Sequence, residues 1–304
     1  MKLASKKTLL VAALIPLISN AGGNNTISQL GDTIKKKVES YSIDAIESST
    51  KSTLSNYFNH VEFGINSIGG QNGPEVELIT TKAYDNNGEA NSFLFNQLGV
   101  NRYDGDTTVN IGLGWRHITD DKLWMYGVNG FYDRELDAKH DRTSIGAEIA
   151  SSVIRANYNS YQGKSGWITS GGVTEKALDG KDYNVFVKIP YLPTSELRLN
   201  GFEWEGLQSA ANLKGKSLSL VTDIENLRLE VGRTDYDAAS GRTDDNFTTL
   251  KYVVPFGGKS KPTNKASKKA FVFQPIDNKV RYAPVKRQNR IIKQKKFAAT
   301  VTGT

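Results

Sequence analysis

Between Asn91 and Trp167 the chain is built of runs of roughly ten residues in which apolar and polar side chains alternate, and this pattern limits the fold more than any other feature. In one run Val109, Ile111, Leu113 and Trp115 share one face, while Asn110, Gly112, Gly114 and Arg116 share the other. A period of two belongs to a β-strand with one apolar and one polar or small face. The breaks RYDGDT, ITDDK and LDAKHDR are rich in Asp, Gly and other turn-tolerant residues, so consecutive runs are expected to pair as antiparallel hairpins.

The alternation extends in both directions. HVEFGINS from His60 and EVELITTKAY from Glu75 flank an Asn72-Gly73-Pro74 turn. Downstream candidates are Val153–Gln162, Tyr183–Tyr191, Leu197–Trp204, Leu218–Thr222, Leu227–Arg233, Phe247–Phe256, Ala270–Gln274 and Val285–Lys293. About 12 to 14 strands result, and because bacterial barrels close on even numbers the expectation is 12. A soluble sandwich or propeller could show the same alternation. Two features favour a membrane barrel. Many runs approach the nine to eleven residues that a tilted strand needs to cross a bilayer. Aromatics also collect near strand ends, at Trp115, Trp124, Tyr126, Phe131, Tyr132, Trp167, Tyr191, Trp204, Tyr252 and Phe256, as interfacial girdles require.

Composition agrees with a wet interior. Of 304 residues 38% are hydrophobic and 28 are glycine, which suits a large soluble core poorly. With no cysteine, disulfides and thiolate metal sites are excluded. Met1–Ala21 reads as a signal peptide: Lys2, Lys6 and Lys7, the apolar run TLLVAALIPLI, then Ser19-Asn20-Ala21 with small residues at the cleavage positions. That run is about half the ~20 residues of a spanning helix. Membrane insertion of the mature chain therefore requires a closed barrel, which satisfies every backbone group in lipid. Residues 22–58 change to helical spacing, with Ile27, Leu30, Ile34, Val38 and Tyr41 three or four apart, and read as a short helical periplasmic leader. They are too few for a peptidoglycan-binding module.

The segment QLGVNRYDGDTTVNIGLGWRHITDDKLWMYGVNGFYDREL, followed by IGAE and YQGKSGW, resembles the translocator β-barrel of the inverse autotransporters, the intimin and invasin family. Weaker similarity runs from about Phe58 to Lys296, and VKRQNRIIKQKK resembles the strand that closes the family's barrel. The resemblance implies an all-β, antiparallel transmembrane barrel of about 12 strands spanning 59–296. It implies insertion in the outer membrane of a Gram-negative-type bacterium, among phospholipid and lipopolysaccharide, with help from periplasmic chaperones and the barrel assembly machinery. It also implies surface display or adhesion through an exported C-terminal passenger. Only FAATVTGT, residues 297–304, follows Lys296, far short of an immunoglobulin-like repeat of about 100 residues, so the expectation is a barrel without the usual passenger. The alternative is a stand-alone pore, or a surface protein whose loops, such as 163–181 and 235–246, take a cell-surface ligand.

Residues 259–296 hold 13 of the 39 Lys and Arg but one of the 32 acids, Asp277. Nucleic acid is not the expected partner of an exported protein, so these cations are assigned to the lumen or to phosphates at a barrel rim. His60, His117 and His140 lie in separate segments without ligand spacing. Asp104, Asp106, Asp120, Asp121 and Asp133 match no calcium loop and read as turn residues. No catalytic, cofactor-binding or metal site is therefore assigned, and the chain is not read as an enzyme.

Overall fold

Alternating runs pair with their neighbours in sequence, and the last of them returns to the first. The computed structural model describes residues 57–68, 74–224, 227–255, 267–271 and 273–296. Its strands are β1 (His60–Ile68), β2 (Glu75–Tyr84), β3 (Ser92–Tyr103), β4 (Asp106–Ile118), β5 (Met125–Glu135), β6 (Asp141–Ala150) and β7 (Ile154–Gly163). They continue with β8 (Ile168–Ser170), β9 (Val173–Ala177), β10 (Gly180–Ile189), β11 (Leu192–Trp204), β12 (Leu213–Ile224), β13 (Leu227–Tyr236), β14 (Asp245–Pro255) and β15 (Lys293–Lys295). One helical turn, α1 (Asn278–Arg281), precedes β15. Twelve strands form a closed antiparallel barrel in the order β1-β14-β13-β12-β11-β10-β7-β6-β5-β4-β3-β2, and β15-β9-β8 form a small separate sheet.

Closure is made by β1 against β14, with His60 opposite Pro255 and Ile65 opposite Leu250. The end carrying His60 and Pro255 is called proximal here, and the opposite end distal. β4, at 13 residues, is roughly 40 Å long, and a barrel tilt near 45° brings its span to about the 30 Å of a hydrocarbon core. The RYDGDT break is a two-residue hairpin: Asp104 and Gly105 both have positive φ, 49° and 88°, as the favoured tight β-turns demand. Longer distal connections hold the β8–β9 hairpin and, between β13 and β14, a 3-10 turn at Ala238–Ser240.

The apolar set faces outward. Leu94, Leu98, Ile111, Leu113, Val128, Ile145, Leu218 and Leu220 are exposed, Leu113 by 68% and Ile145 by 72%. Gln97, Asn110, Arg116, Asp133, Arg142 and Glu230 are buried on the inner face. This inversion of the soluble arrangement points to lipid as the outer solvent, because apolar patches this extensive are rare on soluble monomers.

Three expectations are corrected. Val285–Lys293 does not close the barrel and Ala270–Gln274 is not a wall strand, since β14 already meets β1. Alternation alone could not distinguish a strand bonded to neighbouring backbone from an extended chain bonded to side chains. Among the aromatics read as girdle, Phe131 and Trp204 are buried inside, whereas Trp115, Tyr126, Tyr132 and Tyr191 are exposed outside. The signal peptide, most of the helical leader, Phe256 and the tail after Lys296 lie outside the described residues.

Candidate functional site

The candidate site is the barrel lumen together with the stretch of the chain's own C-terminal region that crosses it. Residues 267–271 and 273–276 follow the proximal rim: the Tyr191 N–H donates to the Ala270 carbonyl (3.0 Å), the Gln274 N–H to Ser152 Oγ (2.9 Å) and the Ile276 N–H to the Lys122 carbonyl (2.7 Å). Asp277 caps α1 by accepting from the Val280 N–H (2.9 Å). The chain then turns into the lumen. Ile276, Val280, Tyr282 and Val285 pack with Phe93, Phe95, Ile118 and Met125, forming an apolar seal in the proximal half.

From Arg281, the last residue of α1, along the extended stretch to Ile292, the chain is held largely through its backbone. Arg116 donates to the carbonyls of Arg281 and Ala283, both at 2.8 Å. Asn159 donates to the Lys286 carbonyl (2.9 Å) and Asn110 to that of Asn289 (2.9 Å). Arg142 donates to the carbonyls of Gln288 (2.6 Å) and Arg290 (2.9 Å). In the other sense, the Val285 N–H donates to Gln97 Oε1 (2.7 Å) and the Gln288 N–H to Tyr161 Oη (2.8 Å). At the distal mouth the Leu178 N–H donates to the Ile292 carbonyl (2.9 Å), and β15 pairs with β9, placing Lys293 opposite Ala177.

Charged side chains add fixed points. Arg281 Nε donates to Asp85 (2.6 Å). Arg287 makes a bidentate pair with Asp133, at 2.8 and 2.7 Å, and Arg142 Nε reaches the same carboxylate at 2.9 Å. The side chains of Asp133, Arg142 and Arg287 are fully buried. Removing one member of such a group costs about 3–5 kcal/mol, since the remaining charge is left buried without compensation. Glycine provides the room: a Cβ on Gly112 would lie 2.1 Å from the Phe131 ring, and that ring carries the Arg287 guanidinium 4.2 Å from its centroid. At the distal mouth Lys293 Nζ meets Asp106 (2.8 Å), Glu135 (3.0 Å) and Glu175 (2.8 Å).

The opposite wall is lined by ion pairs among its own strands, Arg155 with Glu196 (2.5 Å), Arg198 with Glu230 (2.6 Å) and Arg228 with Asp223 (2.8 Å). Lys251 on β14 meets Glu62 on β1 (2.5 Å) and Glu77 on β2, so this group bridges the closing seam. Between this wall and the threaded segment lies a cavity of about 510 Å³. Twelve strands enclose more room than eight, whose interior side chains alone fill, and the space here holds an extended chain with a cavity beside it.

Residues 16–289 match the inverse autotransporter β-domain. The chain belongs to that family. Its similarity to named relatives is local. It is 35% identical over 105 residues to a putative attaching and effacing protein homolog of Escherichia coli K12, covering 34% of this chain and 35% of that protein. It is 30% identical over 142 residues to invasin of Yersinia enterocolitica, covering 44% and 17%. To the inverse autotransporter adhesin YeeJ of E. coli K12 it is 38% identical over 76 residues, covering 25% and 3%. The chain thus spans about a third or less of the length of these relatives. Among solved structures, a chain from work on in-meso crystallization of membrane proteins shares the fold at TM-score 0.63 and 19% identity, covering 78% of this chain and all of that one.

As an inverse autotransporter β-domain the protein is an integral barrel of the outer membrane, in contact with its lipid, as the resemblance implied. Of the basic tail, residues 281–292 enter the lumen, one of the two placements expected for its cations, but as threaded chain rather than wall. Asp133 is not a turn residue: it lies in β5 and is the acid at the centre of the lumenal network. The histidines stay apart. His60 is buried 3.4 Å from Glu62, His117 stacks on Trp115 outside, and His140 sits 2.9 Å from Ser165 at the distal end. Among the described residues no cluster of His, Asp and Glu could hold a metal ion. The lumenal donors Asn110, Arg142, Asn157 and Asn159 were missed as a set. Their one sequence signal is the polar parity of β4, β6 and β7, which says that they face inward but not what they face.

Proposed function

We propose that this β-domain serves as the conduit and anchor through which the chain's own C-terminal side is delivered to the cell surface. The observation that supports it is the single extended crossing of the lumen, which enters at the proximal mouth and reaches β9 at the distal one. Proximal connections such as 151–153 and 190–191 are short, and distal ones such as 164–179 are long, as periplasmic turns and extracellular loops are in bacterial barrels. Exit is therefore assigned to the cell exterior. Residues 59–296 act as one barrel-and-tether unit, residues 1–21 as its signal peptide and 22–58 as a periplasmic leader. Periplasmic chaperones and the barrel assembly machinery are the partners such a barrel needs. The role is transport and attachment rather than catalysis, and adhesion belongs to whatever the tether carries.

The test is heat-modifiable migration of the outer-membrane fraction combined with protease shaving of intact cells carrying a tag after Thr304. A heat-shifted band that loses its tag on shaving is the expected result. A heat-shifted band with a protected tag overturns the export reading and leaves the pore or loop-binding alternative.

A further inference from the structure

We infer that Arg281, Arg287 and Lys293 form a register lock, which decides the stretch of chain that comes to rest in the lumen; the inference rests on the reading of the lumen as an export route. Two kinds of contact hold the threaded segment, and they differ in what they can discriminate. Arg116, Asn110, Asn159 and Arg142 donate to main-chain carbonyls, and Gln97 and Tyr161 accept from main-chain N–H groups. Every residue offers a carbonyl, so this ladder receives any extended polypeptide and is indifferent to its sequence. On its own it is a track along which a chain can step.

The three cations do discriminate. They are spaced six residues apart, a distance of at most about 20 Å in extended chain. Each meets acid on a different part of the wall: Asp85 at the proximal mouth, Asp133 on β5, and Asp106 with Glu135 and Glu175 at the distal mouth. Arg287 and Lys293, both in the extended stretch, also share one parity, while Arg281 ends α1. Slippage by two residues in one direction would bring Lys279, Val285 and Ile291 to these acids, and in the other Ala283, Asn289 and Lys295. Either slip leaves the buried Asp133 without its bidentate partner. Slippage by one turns every side chain to the wrong side. The parked register is thus set by charge at three depths, while passage is supported by backbone contacts that any sequence can make.

Because the chain has no native cysteine, the full-length protein with Lys176→Cys and Gln294→Cys reports the register directly. These positions are opposite each other in the β9–β15 pair, so the cross-link forms only when the chain is parked. In purified protein refolded in detergent, Arg281→Gln, Arg287→Gln and Lys293→Gln together should lower the yield of cross-linked barrel roughly tenfold. Arg134→Gln with Arg233→Gln, which removes two exposed cations outside the lumen, should change it by less than about twofold. Should the triple variant fail to give a heat-shifted barrel, Arg287→Gln with Gln288→Arg displaces one cation at constant composition, and the same loss is expected. An undiminished cross-link in a folded lock variant overturns the inference, as does an equal loss in the Arg134/Arg233 variant. A lock-dependent cross-link combined with a protease-protected tag on cells would overturn the export reading alone.

Discussion

His140 shows how a single side chain reports on the distal mouth. It is buried beside Ser165, and burial, reinforced by the Lys293 ammonium, holds its pKa below the ordinary imidazole value, despite the opposing pull of Glu175, Asp106 and Asp141. The folded protein therefore keeps His140 neutral where the unfolded chain takes up a proton. The stability it contributes is complete above about pH 6.5 and is lost as pH falls through the lowered value. Hydrogen-exchange protection around Asp141, taken relative to the intrinsic rate at each pH, should fall between about pH 7 and 5, and His140→Gln should remove a measurable part of that fall. An identical pH profile in the variant would show that His140 does not govern opening there. Its separation from the other histidines was legible in the sequence. That it is buried was not, because burial comes from Ser165 and Lys293, which are distant along the chain.

At the scale of the element, each wall strand separates two solvents. On β4, Leu113 faces outward at 68% exposure and Asn110 inward at 1%. Leu113→Arg is expected to destabilise the folded barrel by about 2–4 kcal/mol in bilayers, where a cation on the lipid face near the midplane is expensive. The effect should fade in detergent micelles that let the guanidinium reach water. Urea titrations of the heat-modifiable band in both media measure it, and an equal small cost in both would mean that this face does not meet lipid. The parity of β4 was fully readable from VNIGLGWRH. By contrast, FVF and VKRQNRIIK showed comparable alternation, yet Phe273 lies along the rim beside Trp124 and 285–291 runs through the lumen. What separates them from wall strands is the availability of a neighbouring backbone edge. β1 and β14 use up each other's edges, leaving the later segments to find side-chain donors instead.

For the whole molecule, the threaded segment is a plug. Deleting residues 267–304 should leave twelve strands able to close, since β1 pairs with β14 upstream of the deletion. It should also merge the 510 Å³ cavity with the vacated path. Planar-bilayer recordings are expected to show a steady, enlarged conductance for the deletion, and low conductance for the full chain. Equal conductance in both would mean that the segment does not obstruct the lumen. Loss of the plug also takes Arg287 from Asp133 and the Gln288 and Arg290 carbonyls from Arg142, so the truncated barrel should unfold at lower denaturant concentration.

Local physics in the sequence determined the all-β class, most of the hairpin breaks and the two faces of runs such as β4, and left 12 to 14 strands that the even-number rule of bacterial barrels narrowed to twelve. Period-two alternation and turn chemistry need no distant partner to be read. The concentration of cations in the C-terminal region was also plain from the sequence. Tertiary structure alone decided that β14 is the closing strand, that Asp133 is a lumenal hub, and that the basic segment threads the barrel it follows. These outcomes depend on contacts between residues more than a hundred positions apart, such as Arg287 with Asp133 and Asn110 with the Asn289 carbonyl. Closure of the ring creates the enclosed polar space that makes those contacts favourable, and no window of sequence contains that space.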